Sequence, residues 1–266
     1  MDKRLPCEII VIGNEILSGF VKDTNSHWLI DRLTEIGGKI ERVRCISDDI
    51  SVISKEIKSV FERDSKFVVC SGGLGPTDDD ITLEGIARGL NLPLVQDQKA
   101  LAMIKERYEA LLLEGKTDKE ELTTERIKMS YLPLGSIPLF NAIGTAPAIL
   151  LKYADKYIVS LQGVPDELKY IFENSLKPYI DEIFPENIGR FEESIFLNVT
   201  DESLIAEKLK EIRNIFKDLY IKSKPGKKEN LFKVEIVFYG IGEKEEVKRR
   251  IKDAIELFKT KNSGGI

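Results

Sequence analysis

The sequence predicts an α/β protein: a mostly parallel sheet with helices on both faces, followed by a second, smaller α+β (βαββα) domain. Three observations carry that prediction. Short β-former runs alternate with helix-period segments from Cys7 to Phe67. The run Phe67 to Cys70 ends in a loop holding Gly72, Gly73 and Gly75. Beyond Pro185 the pattern restarts as strand, helix, strand, strand, helix.

Taken in order, Cys7 to Ile12 is a β-branched run, and the polar segment Gly13 to Gly19 leaves it as a glycine-bounded loop carrying Glu15. Asp23, Thr24, Asn25 and Ser26 offer N-caps for a helix whose face is Trp28, Leu29, Leu33 and Ile36 and whose end is Gly37-Gly38. Ile40 to Ile46 reads as a strand, and Ser47-Asp48-Asp49 caps a helix with Ile53, Ile57, Val60 and Phe61 inward. After Phe67 to Cys70, Pro76 and Thr77 break the extended chain, placing Asp78, Asp79 and Asp80 at the cap and first turn of the next helix. Residues 96–130 form a helical excursion that offers a dimer face or a lid. Ile137 to Phe140 resumes the sheet, and Ala148 to Lys152 with Tyr157 to Leu161 form a hairpin. Pro165 then opens a helix with acids in its first turn.

The break at Pro185 to Gly189 suits an exposed linker between an α/β domain over residues 1–184 and a two-layer unit over residues 190–266. The second unit reads as strand Ile195 to Val199, helix Asp201 to Phe216, strand Leu219 to Lys222, a Lys-rich turn Lys224 to Lys228, strand Phe232 to Tyr239 and helix Glu243 to Phe258. A frayed tail is expected from Asn262 to Gly265.

Composition excludes several functions. Forty basic against forty-five acidic residues give a net charge of −5, so no global field draws the chain to nucleic acid or an anionic membrane. No apolar stretch approaches the roughly 20 residues a membrane span requires. Cys7, Cys45 and Cys70 form no C-x-x-C pair and lie in or beside apolar runs, which fits buried free thiols in a cytoplasmic protein. His27 is the single histidine, so Ser-His-Asp and Cys-His nucleophile systems would all have to use it; at a helix start a surface or capping role is expected.

The chemistry concentrates in residues 67–84. One acid in a helix's first turn gains about 0.3–1 kcal/mol from the dipole. Two carboxylates about 4 Å apart repel by ~4 kcal/mol at an effective dielectric near 20. If two of the three acids converge in a cleft, a cation relieves the repulsion, and glycine amides beside a carboxylate-held Mg²⁺-like ion make a phosphate or pyrophosphate site. A capped helix with the remaining acids in water is the alternative. In an α/β sheet, Glu15 and the Gly72 to Asp80 loop both follow strands and can share the carboxyl edge where ligands bind.

These motifs together resemble the competence/damage-inducible (CinA-type) family and the molybdopterin-binding fold of molybdopterin adenylyltransferases. The matching blocks are Gly13-Asn14-Glu15-Ile16-Leu17 with Asp23-Thr24-Asn25; Ser71 to Thr77 with Asp79, Asp80 and Thr82; Asn141-x-x-Gly144-Thr145-Ala146-Pro147; and Gly163-Val164-Pro165. The resemblance implies a three-layer α/β/α domain, a homodimer, and a pyrophosphatase that uses a divalent metal (magnesium, manganese or cobalt) on ADP-ribose-like nucleotides. It carries Asn25, Thr82, Asn141, Gly144, Thr145, Gly163 and Pro165 over as substrate-binding positions. Asn14, Ala148 and Gln162 depart from the family pattern, and the amidase activity of longer members is not expected.

The leading expectation is hydrolysis of a nucleotide pyrophosphate linkage. Asp79 and Asp80 hold the metal, Gly72, Gly73 and Gly75 bind phosphate oxygens, and Glu15 serves as a base or second metal contact. Molybdopterin adenylyl transfer and non-catalytic nucleotide or pterin binding are the alternatives.

Overall fold

The structure is a computed structural model that describes residues 2–119, 121–197, 199, 201–228 and 231–262. The chain divides into two compact units: Leu5–Leu33 with Lys39–Phe184, and Pro185–Ile266 with Met1–Arg4 and Thr34–Gly38.

The first unit is a three-layer α/β/α arrangement. Its elements begin with β1 (Leu5–Ile12), a one-turn helix α1 (Asn14–Leu17) inside what reads as a polar loop, α2 (Asn25–Glu35), β2 (Gly38–Ile46), α3 (Ile50–Val60) and β3 (Phe67–Ser71). They continue through α4 (Thr82–Leu90), β4 (Leu94–Gln96), α5 (Gln98–Leu113), α6 (Thr124–Lys128), β5 (Tyr131–Pro133), β6 (Ile137–Leu139), β7 (Ala148–Tyr153) and β8 (Lys156–Leu161). The unit closes with α7 (Pro165–Tyr170), a π-helical turn (Ile171–Ser175) and α8 (Lys177–Ile183). The six-stranded sheet has the order β2-β1-β3-β8-β7-β6. β1, β3 and β8 run parallel, with Cys7 level with Phe67 and Tyr157 at one edge and Val11 level with Ser71 and Leu161 at the other. β7 returns antiparallel to β8 as the expected hairpin, and β6 is antiparallel to β7.

Strand alternation sends Ile10, Ile12, Val68 and Cys70 toward α3 and α4, where Ile53, Ile57, Ile86 and Leu90 complete one core layer. The opposite face carries Phe67, whose ring meets Phe184 edge-on at 4.9 Å, while Trp28 of α2 meets Phe172 in the same manner at 5.3 Å. At the edge where β1 begins, buried Glu8 accepts a bidentate pair from Arg63 at 2.7 and 2.6 Å and a bond from Ser65 at 2.8 Å. Arg63 also reaches Glu56 at 2.9 Å. Burial raises the Glu8 pKa, but the Arg63 and Ser65 bonds outweigh it and hold that carboxyl below its usual range.

Several expectations are corrected. The acids Asp78, Asp79 and Asp80 do not open a helix: α4 starts at Thr82 with Ile81 as its cap, and its first-turn acid is Glu84. Pro76 and Thr77 instead nucleate a turn, in which the Asp80 amide donates to the Thr77 carbonyl at 3.1 Å. The short antiparallel pair β4 and β5 brackets the helical excursion and was not legible in it. Cys7 and Cys70 are buried free thiols, but Cys45 is exposed, because β2 is an edge strand whose central residues face water.

The second unit contains β9 (Ile188–Leu197), α9 (Ser203–Ile215), β10 (Tyr220–Lys228), β11 (Leu231–Glu243) and α10 (Lys244–Asn262), with the antiparallel order β10-β11-β9. Leu209, Ile212, Phe238, Ile251 and Phe258 are among its core residues. Lys224 to Lys228 is not a turn but the end of β10, with Pro225 opposite Val234. β10 is an edge strand, where proline's missing donor is tolerated. β9 begins at Ile188, so the segment read as a linker already contains strand. α10 runs to Asn262, and the expected tail residues Ser263 to Gly265 lie outside the described residues.

Candidate functional site

Because β1, β3 and β8 end level with one another, the segments after them, Gly13, Gly72 and Gln162, emerge side by side at the carboxyl edge of the sheet. The Gly72 amide donates to the Leu161 carbonyl at 3.0 Å, tying the glycine loop to the neighbouring strand end. Only glycine fits here. Gly72 has φ +110° and an added Cβ would lie 2.1 Å from the Ile12 carbonyl oxygen; Gly73 has φ +66° and a Cβ there would meet Thr82 Oγ1 at 2.4 Å. Thr82, fully buried at the first position of α4, donates its hydroxyl to the Gly72 carbonyl at 2.8 Å, and its amide donates to the Gly73 carbonyl at 3.2 Å. Among the described residues, no acceptor takes the amides of Gly73, Leu74 or Gly75.

These amides border a cavity of about 710 Å³ lined by Glu15, Gly72 to Pro76, Asp80, Gly144 to Ala146, Gln162 to Pro165 and Glu167. Asp80 lies against Gly75, where a Cβ would come 2.5 Å from its Oδ2. That oxygen accepts from the Thr77 amide at 2.9 Å and lies 2.7 Å from the Thr77 hydroxyl. Asp79 also engages the Thr77 hydroxyl, which holds its carboxyl below the usual range with a smaller contribution from Lys128. It is exposed and does not line the cavity. Lys128 donates to the Thr77 carbonyl and shares a side cavity of about 200 Å³ with Asp80.

A smaller cavity of about 130 Å³ adjoins through Glu15, Gly163 and Pro165, and contains Asp23, Asn25 and Ser71. Asp23 accepts the Ser26 amide at 2.9 Å and so does the capping of α2. Asn25 is thereby free to donate to Ser71 Oγ at 3.1 Å and to the Gly163 carbonyl at 2.8 Å. Its Oδ1 is buried without a partner. Asn141 folds its own loop by accepting the Ile143 and Gly144 amides at 3.1 and 2.9 Å.

The geometry therefore brings Glu15, Gly72, Gly73, Gly75, Asp80, Gly144, Thr145, Gly163 and Pro165 onto one cavity, with Thr82 and Asn141 behind its wall. Asn25 sits in the adjoining one, and Asp79 stands outside both. Glu167, Gln162 and Lys128 line these cavities without a sequence signal that marks them as site residues. Glu167 read only as a first-turn acid, and Gln162 only as a departure from a family pattern. His27 is exposed on α2, with Asp31 one turn on at 3.9 Å.

Among the described residues no three His, Cys, Asp or Glu side chains converge as a preformed metal centre. Asp80 and Glu15 both line the cavity, and a hard, oxygen-seeking cation of the magnesium type needs only one or two carboxylates, completing its shell with water and substrate phosphate. A separate cavity of about 680 Å³ in the second unit, between β9 and α10, is lined by apolar Phe191, Ile251 and Ile255 among charges of both signs and has no such glycine loop.

Residues 8–182 match the model of the family described as "probable molybdopterin binding domain". A protein of Sulfurisphaera tokodaii is 38% identical over 255 residues, spanning 95% of this chain and 93% of that one. One of Pyrococcus furiosus is 37% identical over 258 residues, spanning 96% of each. The solved structure of CinA from Thermoplasma acidophilum, a protein described as of unknown function, is 34% identical with a TM-score of 0.60, covering 67% of this chain and 99% of that one. No helix among the described residues is long and apolar enough to cross a membrane. With the family model covering most of the chain and full-length relatives above a third identical, the chain belongs to the probable molybdopterin-binding domain family, in its CinA-like form.

Proposed function

We propose that this chain hydrolyses a nucleotide pyrophosphate linkage of the ADP-ribose type with a divalent cation, and works as a homodimer. The observation that supports this best is the pairing of three loop amides, at Gly73, Leu74 and Gly75, that have no acceptor among the described residues, with the carboxylates of Asp80 and Glu15 on one cavity. Amides alone would bind phosphate but leave the carboxylates repelling it. A cation held by Asp80 would reconcile the two and, when bound, supply Lewis-acid polarisation and a lowered pKa for water. The chain's own residues do the rest. The glycine amides orient the phosphate oxygens, the Thr77 amide holds Asp80 in one rotamer, and Glu15 takes the proton of the attacking water as its oxygen bonds to one phosphorus and the bridging P–O bond breaks, releasing AMP and a sugar phosphate. Asp79 fixes the turn through Thr77 and contributes charge from outside the cavity.

The family description favours a second reading, binding or adenylylation of molybdopterin. One experiment separates them: purified chain with ADP-ribose, or with ATP plus molybdopterin, each with and without Mg²⁺, Mn²⁺ or Co²⁺. Metal-dependent release of AMP from ADP-ribose supports hydrolysis. Adenylylated pterin without AMP release would replace it with the second reading.

A further inference from the structure

The glycine loop and the acids account for part of the cavity. The same cavity holds two acceptors, Glu167 and Gln162, that phosphate chemistry does not use. Glu167 is the third residue of α7, a position from which a carboxylate commonly reaches back to the cap amide. Here it turns instead to Asn141, whose Nδ2 donates to Glu167 Oε2 at 2.6 Å and to the Ala146 carbonyl at 3.1 Å. Arg107, whose charge also reaches Glu167, donates instead to the carbonyls of Gly144 and Ile143 at 2.9 and 3.2 Å. The carboxyl is left half-buried, and burial raises its pKa against the smaller opposing effects of Asn141 and Arg107.

Gln162 lines the same cavity and is only 5% exposed. Its Nε2 donates to the Ala146 carbonyl at 2.6 Å, which fixes the amide's orientation and leaves Oε1 buried with no partner. A buried orphaned acceptor costs stability unless a donor arrives. Two acceptors on one wall call for a ligand with two donors. The cavity lining includes no aromatic ring to stack a base, so a base edge is poorly served, whereas adjacent hydroxyls need no platform.

We propose that Glu167 and Gln162 form a subsite for the vicinal hydroxyls of a ribose ring, in the same cavity as the glycine loop. This rests on the nucleotide reading and names the part of the substrate that is recognised. Asn141 is the positioning residue, since it holds the Glu167 carboxylate.

The test is calorimetric titration of the full chain, with Mg²⁺, using inorganic pyrophosphate, ADP and 2′,3′-dideoxy-ADP. Wild type should prefer ADP to the dideoxy analogue by roughly tenfold or more, the scale of hydrogen bonds to a charged group. Glu167→Gln and Gln162→Met should each reduce that preference by several-fold while leaving pyrophosphate affinity unchanged. Gln162→Met leaves the Ala146 carbonyl with its Asn141 donor, and circular dichroism checks the fold of both variants. Pyrophosphate binding without an ADP preference in wild type, or a preference that survives both substitutions, would overturn the ribose subsite and leave the phosphate site standing. Failure of pyrophosphate and ADP alike to bind would overturn the nucleotide reading and the subsite with it.

Discussion

Replacing Thr82 by valine tests whether the glycine loop is held in shape by one buried hydroxyl. The substitution keeps the branched side chain and its volume, but removes the donor to the Gly72 carbonyl at 2.8 Å. Thr82 is fully buried, so water does not take its place. A buried carbonyl left without its donor costs about 1–3 kcal/mol. For a unit of this size 1 kcal/mol corresponds to roughly 2–4 °C in Tm, which puts the expected fall at about 2–12 °C. The valine methyl would also sit where the hydroxyl now lies close to Gly73, so the loop amides should lose their common orientation and pyrophosphate affinity should fall with stability. Thr82→Ser retains the donor and should recover most of the affinity. Scanning calorimetry gives the first quantity and isothermal titration with pyrophosphate the second. A Thr82→Val protein that melts within a degree of wild type and binds pyrophosphate equally would refute the view that this bond shapes the loop.

Asp80→Asn should keep the Thr77 amide bond and the fold but lower metal-dependent turnover by about tenfold to a hundredfold, measured as AMP release; unchanged turnover would remove Asp80 from the cation site. Arg63→Met should destabilise the fold by about 3–5 kcal/mol in urea melts, because it leaves the buried Glu8 carboxylate without its cation while Glu56 keeps Arg44, and a loss under 1 kcal/mol would contradict that. Glu167→Gln should raise Tm at neutral pH. The folded pKa of Glu167 lies above the 4.5 of a free glutamate, so the stability it contributes is full below 4.5 and lost as pH rises through the folded value. The variant's advantage should therefore shrink toward pH 4, and a pH-independent difference would count against it. Residues 1–184 expressed alone should fold and still bind pyrophosphate, as every cavity-lining residue precedes Tyr170; a folded fragment that does not bind would place part of the site elsewhere.

The parallel strands were legible because Phe67 to Cys70 and Ile9 to Ile12 are continuous apolar runs, the pattern of strands buried on both faces. The β4 and β5 pair was not. Each is a three-residue strand, too short for a period-2 signal, and Pro133 in one of them argues against a strand until its antiparallel pairing with Leu94 is known. The Lys224 to Lys228 error has the same root: proline and glycine signal a turn locally, and only the strand order shows that β10 is an edge where they are harmless.

The site divides along a similar line. Glycines that must adopt positive φ leave a mark in the sequence, since the residue type is itself the conformational requirement, and Gly72 and Gly73 could be named from it. Carboxylates leave no such mark. Asp78, Asp79 and Asp80 are identical in type, yet Asp80 alone lines the cavity, because the Thr77 turn carries the other two outward. Glu167 and Asp166 are likewise adjacent first-turn acids, and what distinguishes them is Asn141, 26 positions earlier, reaching the Glu167 carboxylate. A polar group's role here is set by its partner across the fold rather than by its neighbours in the chain. The site's acceptors therefore emerge only when β8 brings Gln162 level with the loop that follows β3, and its backbone donors are visible one step sooner.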